Sequence, residues 1–162
     1  MKEIPLTQGQ VAIVDDEDYS RVSSVSWHAK WNRGAKRWEA EHSEVVTGVR
    51  PKRFRRVTMP HFILGKPPAH QVVDHRNHNQ LDNRRVNIRF ATFTQNACNR
   101  RTQNRTTGFK GVEAKSGRFR AAITIQGKRI YLGYYQIAID AAYAYNAVAK
   151  AHFGEFACLN LV

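Results

Sequence analysis

Val72-Val73-Asp74-His75 reads as a short apolar strand ending in two side chains that can bind a metal or move a proton. Arg76-Asn77-His78-Asn79-Gln80-Leu81-Asp82-Asn83-Arg84-Arg85 follows as a polar loop. Val86-Asn87-Ile88-Arg89-Phe90-Ala91 then alternates polar and apolar residues as a second strand. Thr92-Phe93-Thr94-Gln95-Asn96 opens a helix, with Thr92 or Thr94 as its N-cap. The order is strand, loop, strand, helix. It puts Asp74 and His75 on the first strand and Asn96 on the helix.

Those side chains suit phosphodiester hydrolysis, which needs a deprotonated water, an electrophile for the phosphate and a stabilised leaving oxygen. A hard divalent cation prefers oxygen ligands and keeps room for phosphate. Asp74 and Asn96 offer one carboxylate and one amide oxygen for it. His75 can take a proton from water near neutral pH. Asn87, on the facing strand, is placed to fix the loop and the imidazole.

Outside this stretch, charge is the strongest signal. The 162 residues hold 26 Lys+Arg against 13 Asp+Glu, a formal net charge of +13. Both sides of Arg100 are basic, with 17 cationic and 10 acidic residues up to it and 9 and 3 beyond. The excess is therefore not one detachable tail. A polyanion is the expected partner, because each Lys or Arg that neutralises a phosphate releases condensed counterions. No basic amphipathic helix, lipidation motif or apolar run of about 18 residues points to a membrane. Cys98 and Cys158 are too few for a disulfide framework or a four-cysteine zinc site. Met1-Lys2-Glu3-Ile4-Pro5 has no signal-peptide stretch, so an intracellular protein is expected.

Val11-Ala12-Ile13-Val14 reads as a strand, and Asp15-Asp16-Glu17-Asp18 as a loop capping the helix that follows. Tyr19 to Trp31 is expected to be a short helix, and Arg37-Trp38-Glu39-Ala40-Glu41-His42 a strand. Arg50-Pro51-Lys52-Arg53-Phe54-Arg55-Arg56 leads into Val57-Thr58-Met59 as a strand with a basic face, so Arg53 and Arg55 are candidate phosphate contacts. Gly65-Lys66-Pro67-Pro68 is a turn.

Past a linker at Asn104-Arg105-Thr106-Thr107, three strands are expected, Phe109 to Ala114, Arg118 to Gln126 and Arg129 to Tyr135. Phe119, Ala121, Ile123 and Ile125 share one face of the middle strand. Arg118, Arg120, Ala122, Thr124 and Gln126 share the other. Ile130 and Leu132 oppose Arg129 and Tyr131 in the third. Ala138–His152 has seven alanines and a helical repeat, so it can lie close on the apolar face. The basic face is left for DNA, and a sheet of this width fits the major groove.

Two family resemblances follow from these residues. Val73 to Arg89, with Asp74-His75, Asn87 and Asn96, resembles the His-Asn-His (HNH) endonucleases of the ββα-metal type, above all the phage and intron homing kind. That resemblance implies His75 as general base, Asp74 and Asn96 as metal ligands and Asn87 as the structural asparagine. It also implies Mg²⁺, or Mn²⁺, as cofactor. Arg84 and Arg85 become candidates for charge stabilisation beside the phosphate, and His78 a near-site residue. The final family position, often His, is Asn96 here. Ile4 to Tyr19 and the strand ending Met59-Pro60-His61 are similar to the segment preceding this nuclease in phage proteins, although Pro60 departs from the pattern.

Gly108 to Asn160 resembles the AP2 DNA-binding domain of plant transcription factors. The likeness lies in Gly108-Phe109-Lys110-Gly111-Val112, Arg129-Ile130-Tyr131-Leu132-Gly133 and Phe153-Gly154-Glu155-Phe156-Ala157. It implies DNA contacts at Lys110, Arg129 and Tyr131. Arg118, Arg120 and Thr124 are added from their facing. Glu113 stands where plant members often have Arg, so no target sequence carries over.

The expected fold class is α+β, with residues 1–103 forming the nuclease domain with its β-rich N-terminal segment. Residues 104–162 are expected to form a three-stranded antiparallel sheet on one helix. The expected function is a metal-dependent endonuclease acting on double-stranded DNA as monomer or homodimer. It would work in the cytoplasm of a bacterial host if phage-encoded. The alternative is a non-catalytic DNA-binding regulator with a relic HNH fold.

Overall fold

The computed structural model describes residues 1–48, 50–101 and 106–162. The part of the expected linker at Asn104-Arg105, and the expected boundary between residues 103 and 104, lie outside the described residues. The architecture is a mixture of small antiparallel sheets and short helices, grouped into two compact units, Met1–Phe93 and Thr94–Val162.

In the first unit, β1 (Lys2–Pro5) and β2 (Val11–Val14) form a hairpin, with Ile4 opposite Ala12. Helix α1 (Asp16–Ser23) is shorter than expected, and the remainder of the predicted Tyr19–Trp31 helix is not helical. Ser23, Ser24 and Ser26 follow, and serines compete with helical bonding through their own hydroxyls. The Ser24 and Ser23 hydroxyls donate back to the Arg21 and Ser20 carbonyls. Trp27 folds under the helix end, its indole N–H donating to the Val22 carbonyl at 2.9 Å. The chain then enters β3 (His28–Asn32).

β4 (Arg37–Val46) and β5 (Arg53–Thr58) complete a sheet in the order β3-β4-β5. The strand expected to run through Met59 stops at Thr58, where α2 (Met59–Leu64) begins. Pro60 sits in its first turn, where the missing N–H costs nothing and the fixed φ favours a helix. β6 (Gln71–His75) pairs antiparallel with β7 (Ile88–Thr92), and the chain passes into the second unit at the start of α3 (Phe93–Cys98). Val86, expected on that second strand, precedes it and is exposed. Thr92 stands immediately before α3 and Thr94 within its first turn.

The core of this unit gathers Ile4, Val14, Val22, Trp27, Ala40, Met59, Ile63 and Ile88 from nearly every element. Trp27 meets Phe62 edge-on, with ring centroids 5.3 Å apart. The N-terminal hairpin thus packs in one core with the strand that leads out of the polar loop.

In the second unit, β8 (Val112–Lys115), β9 (Arg118–Ile125) and β10 (Lys128–Tyr135) form a sheet with β9 central. Helix α4 (Ala138–Phe153) packs on it through Ala141, Ala142, Tyr145 and Ala149, against Val112, Ala121 and Ile123. A bulge between Tyr131 and Gly133 breaks the expected alternation of β10. Leu132 is the extra residue, so Tyr134, not Gly133, comes opposite Arg120. Ile130 is 43% exposed, unlike the inward position expected for it. Among the described residues no helix is long and apolar enough to cross a membrane.

Candidate active site

Asp74 and His75 end β6 and are both buried, at 5% and 4% exposure. Register sets Asp74 opposite Arg89 and His75 opposite Ile88. The Arg89 guanidinium donates through Nε to Asp74 Oδ2 at 2.9 Å, and its Nη2 lies 2.8 Å from the same oxygen. Both charges are shielded from water, so each depends on the other.

The imidazole Nε2 of His75 lies 3.3 Å from Asn83 Oδ1. Asn83 is fully buried, and its Nδ2 donates to the Gln80 carbonyl, which turns the amide oxygen toward the ring. With the amide oxygen as acceptor, the ring proton sits on Nε2 and the basic lone pair on Nδ1, an atom that is itself buried. Burial pushes the His75 pKa below its ordinary 6.5. The Asn83 contact, Asp74 and Asp82 act the other way, and the Arg37 charge adds to the lowering. The imidazole is thus neutral at pH 7.

His75 lines a cleft of about 160 Å³ with Arg37, Glu39, Thr58, His61 and Gln80. Arg37 pairs with Glu39 at 3.2 Å, and Thr58 holds Nδ1 of His61 through its hydroxyl. Burial also lowers the His61 pKa. The cleft therefore joins a buried neutral imidazole to a guanidinium.

The loop between β6 and β7 is held by its own asparagines. Asn87 Oδ1 accepts the Asn77 amide at 3.0 Å, and its Nδ2 donates to the Asp82 carbonyl at 2.7 Å. Asn77 and Asn79 close turns on the backbone amides of Asn79 and Leu81. The loop is also tied to β2, where Ile13 donates to the Leu81 carbonyl and accepts from the Asn83 amide, both at 2.7 Å. Asn87 thus clamps the loop, while the amide at the imidazole belongs to Asn83. The sequence reading gave both tasks to Asn87. Nothing in the sequence sets Asn83 apart from the other loop asparagines or Arg37 from its strand neighbours, and only folding brings them to His75.

Arg84 and Arg85 are both engaged with carboxylates. Arg84 pairs with Asp82 at 2.7 Å, and Arg85 with buried Asp18 and with Glu17, both at 2.7 Å. Asp15 flanks the start of α1 without a side-chain cap bond and instead accepts the Arg85 amide. The run thus stands at the N-cap and in the first turn of α1, as expected, but Asp15, Glu17 and Asp18 engage Arg85 in place of a side-chain cap bond. Burial opposes the Asp18 anion, but Arg85 and Arg21 prevail and its pKa lies below 3.8. The bond from Arg84 likewise lowers Asp82, with burial opposing.

These depressed carboxylates stabilise the fold above the ordinary carboxylate range, and that contribution is lost as pH falls through their folded values. Acid unfolding followed by circular dichroism is expected to set in below about pH 4 and to be blunted in Asp18→Asn. A stability profile equally steep in wild type and variant would contradict this.

Asn96 lies half-buried in α3. Among the described residues no three His, Cys, Asp or Glu side chains cluster to hold an ion. The buried Asp74 carboxylate is an oxygen donor, which suits hard cations and not zinc.

In the second unit, Arg118 and Thr124 are exposed on β9. Arg120 donates to Glu113 at 2.6 Å, and Arg129 pairs with the same carboxylate. Their guanidinium carbons stand 4.9 and 5.8 Å from the Tyr131 ring centre. Tyr134 joins this face through the bulge and is 53% exposed, a residue the alternation pattern missed. Lys110 is elsewhere: its ammonium donates to the carbonyls of Cys98 and Arg100, at 2.6 and 2.8 Å. On β5, Arg53 is exposed and Arg55 pairs with Glu44 at 2.7 Å.

No protein-family model matches the sequence. The chain is similar to a protein of Acanthamoeba polyphaga mimivirus named as an uncharacterized HNH endonuclease. The two are 33% identical over 101 residues, 62% of this chain and 53% of that protein. The match thus spans about half the length of the viral relative.

Proposed function

We propose that the chain is an HNH-type endonuclease that hydrolyses phosphodiester bonds of double-stranded DNA, with His75 as general base. The observation that carries this reading is the buried His75 imidazole, oriented by Asn83 beside a cleft that also holds Arg37 and its partner Glu39. A neutral imidazole takes a proton from water as it attacks phosphorus. A guanidinium in the same cleft offsets charge growing on the phosphate oxygens. Asn87 keeps the loop closed so that Asn83 can hold the ring. The name of the viral relative supports the same reading.

The Asp74 carboxylate is an oxygen donor of the kind Mg²⁺ or Mn²⁺ takes, and such an ion would supply Lewis acidity to the phosphate and the leaving oxygen, with Asn96 the second ligand that the family resemblance implies. Asp74 would then share its carboxylate between the ion and Arg89. The sheet of the second unit would act as an AP2-like hold on the duplex through Arg118, Arg120, Thr124, Arg129 and Tyr131. Arg53 and Arg55 would add phosphate contacts. Arg55, Arg120 and Arg129, like Arg84, Arg85 and Lys110, would contribute by exchanging the internal partners they now hold.

The Asp74–Arg89 pair favours the second reading, a DNA-binding regulator with a relic nuclease fold. One assay separates the two. Closed circular plasmid incubated with the protein is expected to become nicked or linear in Mg²⁺ or Mn²⁺ and to stay closed in a chelator. Tight binding without cleavage, on several DNA sequences and with both metals, would leave the regulator.

A further inference from the structure

We propose that Phe54 is a wedge: the outer half of the β4–β5 hairpin lies on duplex DNA and seats the Phe54 ring between adjacent base pairs. This rests on the DNA-binding part of the reading above and not on cleavage.

β5 is an edge strand, and a strand packed on one side should alternate between buried and exposed residues. This one does not. Arg53, Phe54, Arg55 and Arg56 are all exposed, and only Val57 and Thr58 are partly covered. Both faces of the outer hairpin are therefore open. On one of them Phe54 stands opposite Val45, at 65% and 52% exposure, with Arg56 two residues on. Arg53 and Arg55 share the other face, Arg55 bound to Glu44 across the strands.

The surroundings of the ring select its partner. Arg50, Lys52, Arg53, Arg55 and Arg56 crowd into seven residues, and Glu44 is the one acid in the facing part of β4. A second copy of this hairpin would set like charges against each other. A duplex offers phosphates to the cations and a base stack to the ring in one surface. Apolar side chains flanked by arginines enter base steps from the minor groove, unstacking and unwinding the duplex.

Unwinding can be read without knowing a target sequence. A relaxed closed plasmid is incubated with the full chain carrying His75→Ala, in chelator, and treated with a metal-independent topoisomerase. Protein is then removed and the topoisomers are separated. The expected result is a shift in linking number that grows with protein. With Phe54→Ala added, the shift should fall at least severalfold while the mobility-shift affinity is largely kept. Phe54→Trp should restore the shift, since its ring is also flat and apolar.

Arg53→Gln with Arg55→Gln should instead weaken binding itself. Binding with no shift, or a shift unchanged in Phe54→Ala, would overturn the wedge and leave DNA binding standing. No binding to the plasmid at all would overturn both. Phe54 is outside the core cluster, so Phe54→Ala should fold, and unchanged circular dichroism checks it.

Discussion

Replacing His75 by alanine is expected to lower plasmid cleavage about 10²–10⁴-fold, the range that a positioned general base contributes. DNA affinity should be nearly unchanged, because His75 is 4% exposed and its loss removes no surface cation. Truncation leaves Asn83 Oδ1 without the ring and opens a small cavity, at a cost of about 1–3 kcal/mol. The comparison must therefore be made well below the unfolding temperature, with circular dichroism alongside. Added imidazole should recover part of the activity by refilling the space the ring leaves. Rates equal to wild type would remove His75 from the chemistry. A loss of cleavage matched by a loss of folded protein would make its role structural.

The second large effect is expected at Gly111. Its φ is +73°, a conformation that side chains rarely adopt. An added Cβ would lie 2.1 Å from Cδ2 of Tyr145 and 2.6 Å from the Ala122 carbonyl oxygen. Tyr145 is itself buried between α4 and β9, and the Ala122 amide donates to the Gly111 carbonyl at 2.8 Å. Neither neighbour can withdraw without breaking the second unit's core. Gly111→Ala should therefore cost about 3 kcal/mol, near the upper end of overpacking penalties with backbone strain added. In urea unfolding the transition of the second unit should move to lower denaturant. An unchanged midpoint would mean that the helix does not seat on the sheet as described.

The parts of the fold legible in the sequence were those whose periodicity is local. Arg118–Ile125 alternates in residue type, and the expected strand Arg118 to Gln126 differs from β9 by one residue, although Ala122, expected on the open face, is buried with Ala121 and Ile123. The alanine-rich stretch from Ala138 gave α4 to within one residue at its end. Val72 to His75 appears within β6, since an apolar run closed by a polar loop has few other readings.

What stayed hidden depends on distant partners. The serines after Tyr19 end α1 where the apolar pattern seemed to run on to Trp31, because Trp27 folds back onto Val22. The bulge at Leu132 brings Tyr134 onto the basic face, and no pairwise alternation foretells an extra residue. Asn83 looked like one more loop asparagine until the bonds to Ile13 and Gln80 buried it beside the imidazole. The arginines after it looked free for phosphate, yet Asp82 and Asp18 hold them.

The proposed chemistry needs the Asp74 carboxylate, now held by Arg89, to share an oxygen with a cation. Anomalous diffraction from crystals of the His75→Ala chain grown with duplex DNA and Mn²⁺ tests this directly. A single manganese peak about 2.1 Å from an Asp74 oxygen, beside a DNA phosphate, is the predicted result. Density with Asp74 still closed on Arg89 and no metal beside it, in a complex that holds DNA, would contradict it.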